Sequence, residues 1–192
     1  MKRFNIPVIL QALIFLIPLN IYVIGDWMGS GIQTIFFRYM QTNIGDSLIF
    51  LNRELHFILK GIVTGKTAIA TSIWLIGVAI ILIATLLVIL AYRQQNPRLL
   101  RHGAYLNAAG ALLFSISIVI QYGILLHGPA GIAIPLGIPV ILSVAYFQYK
   151  SVENDPDPEP DGEGEGADDA EDDDEPGVGS GVQSSDPEEP LR

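Results

Sequence analysis

Between Arg3 and Asp26, between Lys66 and Arg93, and between Arg101 and Lys150 the chain carries no Asp, Glu, Lys or Arg, over stretches of 22, 26 and 48 residues. A helix rises about 1.5 Å per residue, and about 20 apolar residues cross roughly 30 Å of hydrocarbon. The first two windows therefore each have room for one crossing. The third has room for two, divided at His127-Gly128-Pro129-Ala130-Gly131, where Pro and Gly break a helix. These windows predict an all-α integral membrane four-helix bundle, with helices at about 6–25, 68–92, 104–126 and 131–149. A soluble domain built from four such helices would lack polar faces to meet water. The first apolar stretch also outruns the roughly 7–15 residues of a signal-peptide core, so it is expected to be retained as a helix.

The 192-residue chain is half hydrophobic and only 16% charged, and its charges are segregated. Residues 1–150, the expected transmembrane domain, hold ten Lys or Arg and three acids (Asp26, Asp46, Glu54). Residues 151–192 hold seventeen acids and one Arg. With few large aliphatic residues, this second segment is expected to be a disordered acidic tail that cannot offset its chain entropy by burial. The connection from Arg93 to His102 carries three Arg and no acid. By the positive-inside rule it is expected in the cytoplasm of a multi-pass cell-membrane protein, with both termini on the same side. Cysteine is absent, which excludes disulfides and thiolate metal sites.

The expected external segment, about 28–66, has two runs at helical spacing: Ile32, Ile35, Phe36, Tyr39, Met40, and then Leu48, Leu51, Leu55, Ile58, Ile62 after a turn near Gly45. They predict two amphipathic helices, the second capped by Asp46 or Ser47, lying on the membrane or closing over the bundle. Ala70, Gly77, Ala84 and Ala91 form one small-residue stripe, and Ala104, Ala108, Ala111 and Ser115 another. Small residues let membrane helices approach closely, so the two stripes are expected to face each other. Pro135 and Pro139 predict a kink in the last helix.

Only one stretch looks like named chemistry: Gly61-Ile62-Val63-Thr64-Gly65-Lys66-Thr67. A phosphate loop needs four residues between its first Gly and Gly-Lys-Ser/Thr; here there are three, and a membrane helix follows on the predicted outside. The stretch reads instead as a boundary, with Thr64 capping the next helix and Lys66 reaching the headgroups. No catalytic constellation, cofactor motif or metal-ligand spacing stands out, so none of the three is expected. His56 and His127, with Asp46 or Glu54, make at best a weak external site, and His102 is expected on the opposite side.

The polar residues inside the windows are Gln11, Asn20, Thr71, Ser72, Thr85, Asn107, Ser115, Ser117, Gln121 and Ser143. Gln11, Asn107 and Gln121 are the candidates for interhelical contacts or a polar path; Gly77, Ala84, Ala108 and Ala111 are the candidates for close helix packing. Together the apolar first helix, the external amphipathic segment, Asn96-Pro97-Arg98 before a small-residue helix and the last-helix run Gly131-Ile132-Ala133-Ile134-Pro135-Leu136-Gly137 resemble a family of short archaeal integral-membrane proteins. The resemblance covers roughly residues 5–150 and implies four spans and no ligand residues. The expected function is a non-enzymatic accessory or scaffold subunit of a membrane complex. The alternatives are a small oligomeric transporter or channel for a neutral solute and, third, a membrane enzyme with an external site. The expected partners are the lipid bilayer and another protein or further copies of the chain. Neither nucleic acid nor nucleotide is expected.

Overall fold

The computed structural model describes residues 5–25, 28–128 and 131–153. The acidic tail from residue 154 onward lies outside them, as do Asp26-Trp27 and Pro129-Ala130.

The first apolar window does not form one helix. Helix α1 (Asn5–Leu16) stops just before Ile17-Pro18, because proline disfavours helical geometry in the residue that precedes it. The window then continues as strand β1 (Asn20–Ile24), whose Ile21, Tyr22 and Val23 are β-formers. Strands β2 (Gly29–Gln33), β3 (Phe37–Thr42) and β4 (Gly45–Phe50) follow as a meander. The β2–β3 turn is held by the Thr34 hydroxyl, which accepts from the backbone N–H groups of Phe36 and Phe37 at 3.2 and 3.1 Å. Asn43 and Ile44 form the two-residue loop between β3 and β4, closed on the Thr42–Gly45 pair.

After β4 come helix α2 (Leu51–Leu59), helix α3 (Gly65–Gln94) and helix α4 (Pro97–Tyr122). A short hairpin of β5 (His127–Gly128) and β6 (Gly131–Ile134) then leads into helix α5 (Gly137–Glu153). All strand pairs are antiparallel, and the sheet order is β4-β3-β2-β1-β6-β5.

The all-α four-helix expectation is therefore overturned: the described residues are mixed, five helices with a six-stranded sheet. Among them, two helices are long and apolar enough to cross a membrane, α3 with 30 residues and α4 with 26. At 12 residues, α1 rises only about 18 Å, and α5, with 17, falls short of the usual span. The expected pair of amphipathic helices is likewise replaced. Ile32 lies in β2, Ile35 and Phe36 lie in a turn, and the neighbours Tyr39 and Met40 point to opposite faces of β3. Only Leu51, Leu55 and Ile58 of the second run share a helix, α2. Asp46 and Ser47 lie in β4, so they cap nothing.

Pro135 precedes α5 and Pro139 lies in its first turn, where a missing N–H costs no helix hydrogen bond. The kink expected from these prolines in the last helix therefore has no basis. Gly61 and Gly65 frame the α2–α3 junction. Gly61, at φ 65°, closes α2: its own N–H reaches the Ile58 carbonyl at 3.0 Å and that of Ile62 reaches Phe57 at 2.9 Å. Thr64 occupies the N-cap position of α3 without a side-chain cap bond, whereas Asn96 caps α4 by accepting from Arg98 N at 2.9 Å, with Pro97 at the first helical position.

The α3–α4 pair is a tight seam. A methyl group on Gly77 would come within 2.7 Å of the Phe114 ring, one on Gly110 within 2.6 Å of Ile81, and one on Gly103 within 2.9 Å of Val88. On one side of this hairpin, Ile14 of α1 and Ile141 and Val144 of α5 share a core with Trp74, Val78 and Phe114. Near the α3–α4 turn, Val152 packs with Val88, Ala91 and Leu100. The sheet lies against the other end of the hairpin, beyond α1 and α5.

Filling the seam should be costly. Gly77→Leu is expected to lose about 1–3 kcal/mol through overpacking against Phe114. Ile76→Leu, at a neighbouring position 54% exposed, should leave stability unchanged. Unfolding of both variants in detergent, by heat or SDS, checks the difference.

Candidate functional site

Two polar centres lie along the hairpin, one in its middle and one where it meets the sheet. The first joins four helices. Asn107 of α4 donates to Gln11 Oε1 of α1 at 2.7 Å and to Gln148 Oε1 of α5 at 2.8 Å. Gln148 donates to Gln11 Oε1 at 2.9 Å, and Gln11 donates to Thr85 Oγ1 of α3 at 2.8 Å and to Asn107 Oδ1 at 3.3 Å. Gln11, Asn107 and Gln148 are each at most 2% exposed. Because amides are both donors and acceptors, three of them satisfy one another with no net charge, which is the arrangement an apolar surrounding favours.

The second centre is a chamber of about 170 Å³ between the sheet and the facing ends of α3 and α4. Its sheet wall carries Tyr22, Gln33, Arg38 and Met40, all on one face by strand register. The helix wall brings Thr67 and Thr71 from α3 and Ser117, Gln121 and Tyr122 from α4. The Ser117 hydroxyl is already spent, donating to the Ala70 carbonyl at 2.8 Å and tying the two helices together. The Tyr22 and Tyr122 rings lie 6.4 Å apart, tilted by 35°.

An ion pair stands beside this chamber. Arg38 Nη2 of β3 approaches Glu54 Oε1 of α2 at 2.6 Å, and the Glu54 side chain is only 2% exposed. Arg38 Nε, Glu54 Oε2 and Gln121 Oε1 are buried with no hydrogen-bond partner among the described residues. Burial pushes the Glu54 carboxyl above its ordinary value, and the Arg38 charge and hydrogen bond only partly oppose this. Burial likewise raises the Tyr22 hydroxyl, with Arg38 opposing and Glu54 reinforcing.

Of the residues singled out in the sequence, Gln11 and Asn107 meet directly, while Gln121 belongs to the chamber. Buried Ala111, Phe114 and Ile118 lie between the two centres along α4. Gly77, Ala84 and Ala111 are buried along the hairpin, whereas Ala104 and Ala108 line a groove towards α5 together with Tyr105 and Tyr146. Within α3 and α4, Ser72, Thr85 and Ser115 also donate to the carbonyl four residues back. His56 and His127 are exposed; His56 follows the β4 edge and His127 lies in β5, the opposite edge of the sheet. Among the described residues no group of three His, Asp or Glu is placed to hold a metal.

The sequence reading missed Gln148, whose position just ahead of Lys150 hid it at the end of a window. It also missed the Arg38–Glu54 pairing, which joins a strand to a helix across 16 residues. No protein-family model matches the chain, and no curated protein matches it. Function therefore rests on geometry and chemistry.

Two outcomes follow. Asn107→Leu leaves the Gln11 and Gln148 amides short of partners and should cost about 1–3 kcal/mol, while Gln121→Leu should stay within about 0.5 kcal/mol; unfolding in detergent measures both. Glu54 gives the second, a pH dependence. A raised folded-state value means that the folded chain holds this proton more tightly than the unfolded chain does. Its contribution is complete below the ordinary value of 4.5 and is lost as pH rises through the folded-state value. Glu54→Gln should flatten that part of the stability–pH curve.

Proposed function

We propose that this chain is a non-enzymatic membrane protein that works through contacts, as an accessory or scaffold subunit whose sheet is its docking platform. The observation that carries this reading is the apolar surface left uncovered on the outer face of the sheet. The face turned to the helices holds Asn20, Tyr22, Gln33 and Arg38, and Asn20 and Tyr22 are 1% and 5% exposed. The opposite face holds Ile32, Leu48, Phe50, Ile132 and Ile134, all between 39% and 51% exposed. Apolar rows of this extent on a sheet ordinarily meet another surface.

Membrane anchoring through α3 and α4 is supported by where their apolar side chains go. Only 33% and 44% of their most apolar windows are buried within the chain, too little for core helices of a soluble protein. Ile69, Ile76, Ile83, Leu86 and Leu112 point outward instead, as lipid contact requires. In the orientation proposed here, the Arg93–Arg101 turn is cytoplasmic, with α1 beginning and α5 ending on that side, and the sheet is external. A solute path through the bundle has less support, since the amide cluster is closed on itself and apolar residues separate it from the chamber.

Purification from native membranes in mild detergent is expected to bring down a stoichiometric partner protein, lost when Leu48 and Ile132 are both changed to Asp. A chain that emerges alone and monomeric refutes the reading. Because cysteine is absent, single cysteines report sidedness cleanly. Ile44→Cys, at the fully exposed β3–β4 loop, should react with an impermeant maleimide on intact cells. His102→Cys should react only after permeabilisation; the reverse pattern overturns the orientation.

A further inference from the structure

We propose that the chamber between the sheet and the ends of α3 and α4 is a binding site for a neutral, polyhydroxylated group of glycerol to monosaccharide size. Three independent properties converge on that chemistry. The first is size. About 170 Å³ admits a group the size of glycerol or a monosaccharide.

Charge is the second. Arg38 is the charged side chain in the chamber wall, and Glu54 already neutralises it at 2.6 Å. A ligand with a net charge would leave an uncompensated ion in a partly dry site, at a large desolvation cost, whereas a neutral ligand leaves the balance untouched.

Hydrogen-bond demand is the third. Arg38 Nε is an unpartnered donor and Gln121 Oε1 an unpartnered acceptor, both buried. A hydroxyl group accepts and donates at once, and a molecule with two or more hydroxyls meets both needs together. Tyr22 and Tyr122 add aromatic surface to the chamber wall, suited to the C–H groups of such a molecule.

The chamber lies close to Lys66 and Thr67 at the start of α3, the level at which a lipid headgroup would meet the sheet. The same hydroxyl chemistry is therefore supplied by a free polyol or by the sugar headgroup of a lipid. The site stands independently of the docking platform, which uses the opposite face of the sheet.

Saturation-transfer NMR on the full chain, in a detergent without a sugar headgroup, tests the free form with glycerol and methyl glucoside; acetate and ethylammonium serve as charged probes. A lipid arm uses nanodiscs containing a neutral galactolipid, with retention of that lipid read by native mass spectrometry. Polyol signal or galactolipid retention in the native chain is expected, falling at least fivefold in Gln121→Leu and in the near-isosteric Thr71→Val. Unchanged unfolding curves would show that both variants are folded. Signal from soluble polyols alone assigns a free solute, and galactolipid retention alone assigns a headgroup. Stronger signal from acetate or ethylammonium, binding unaltered in both variants, or no binding in either arm overturns the proposal.

Discussion

The close approach of α3 and α4 is the constraint on which the rest of the structure depends. Lipid tails are as apolar as leucine, so two helices that cross a membrane, as α3 and α4 are proposed to do, gain little from hydrophobicity and must instead fit. Here α4 offers Gly103 and Gly110 to Val88 and Ile81, and α3 returns Gly77 to Phe114. Gly103 and Gly110 stand seven residues apart, as do Ile81 and Val88, so the same seam is kept in register over successive turns. On this paired spine α1 and α5 find a flank near the turn, and the sheet finds a wall at the other end.

Charge spacing in the sequence located the two long helices because an apolar stretch of more than twenty residues without a charge is what a membrane crossing demands. It misread the rest because hydropathy does not distinguish an apolar strand from an apolar helix. Asn20–Ile24 sat inside a charge-free window, and only Pro18 marked the change from α1 to β1. The helical spacing from Ile32 to Met40 arose by coincidence: a sheet with apolar residues on both faces places them at adjacent positions, and these imitate a 3.6-residue period. The turn near Gly45 was legible, yet it joins strands. Gln11 and Asn107 stood out as polar groups in apolar surroundings. Arg38 and Glu54 did not, because a charged pair in a polar loop looks like any solvated surface until folding buries it.

The two faces of the sheet separate two tasks. Inward, Tyr22, Gln33 and Arg38 stand with Ile24 and Met40 in the wall of a small chamber, and Arg38 shares one ion pair. Outward, Ile32, Leu48, Phe50, Ile132 and Ile134 stay partly exposed beside the polar Ser30, Gln41 and Asp46. Reversing the register by a single residue would exchange the faces, so the β2–β3 and β3–β4 turns hold more than local geometry.

The sheet is also closed by its last arrival. Strand β1 pairs with β2 on one edge and with β6 on the other, Tyr22 opposite Ala133, although both long helices lie between β1 and β6 in the chain. If α3 and α4 cross a membrane as proposed, one edge of β1 stays open during synthesis until both have crossed and brought β6 back to the side where β1 waits. A hairpin only half inserted would leave β6 across the bilayer and the N–H and C=O groups on that edge of β1 unmatched.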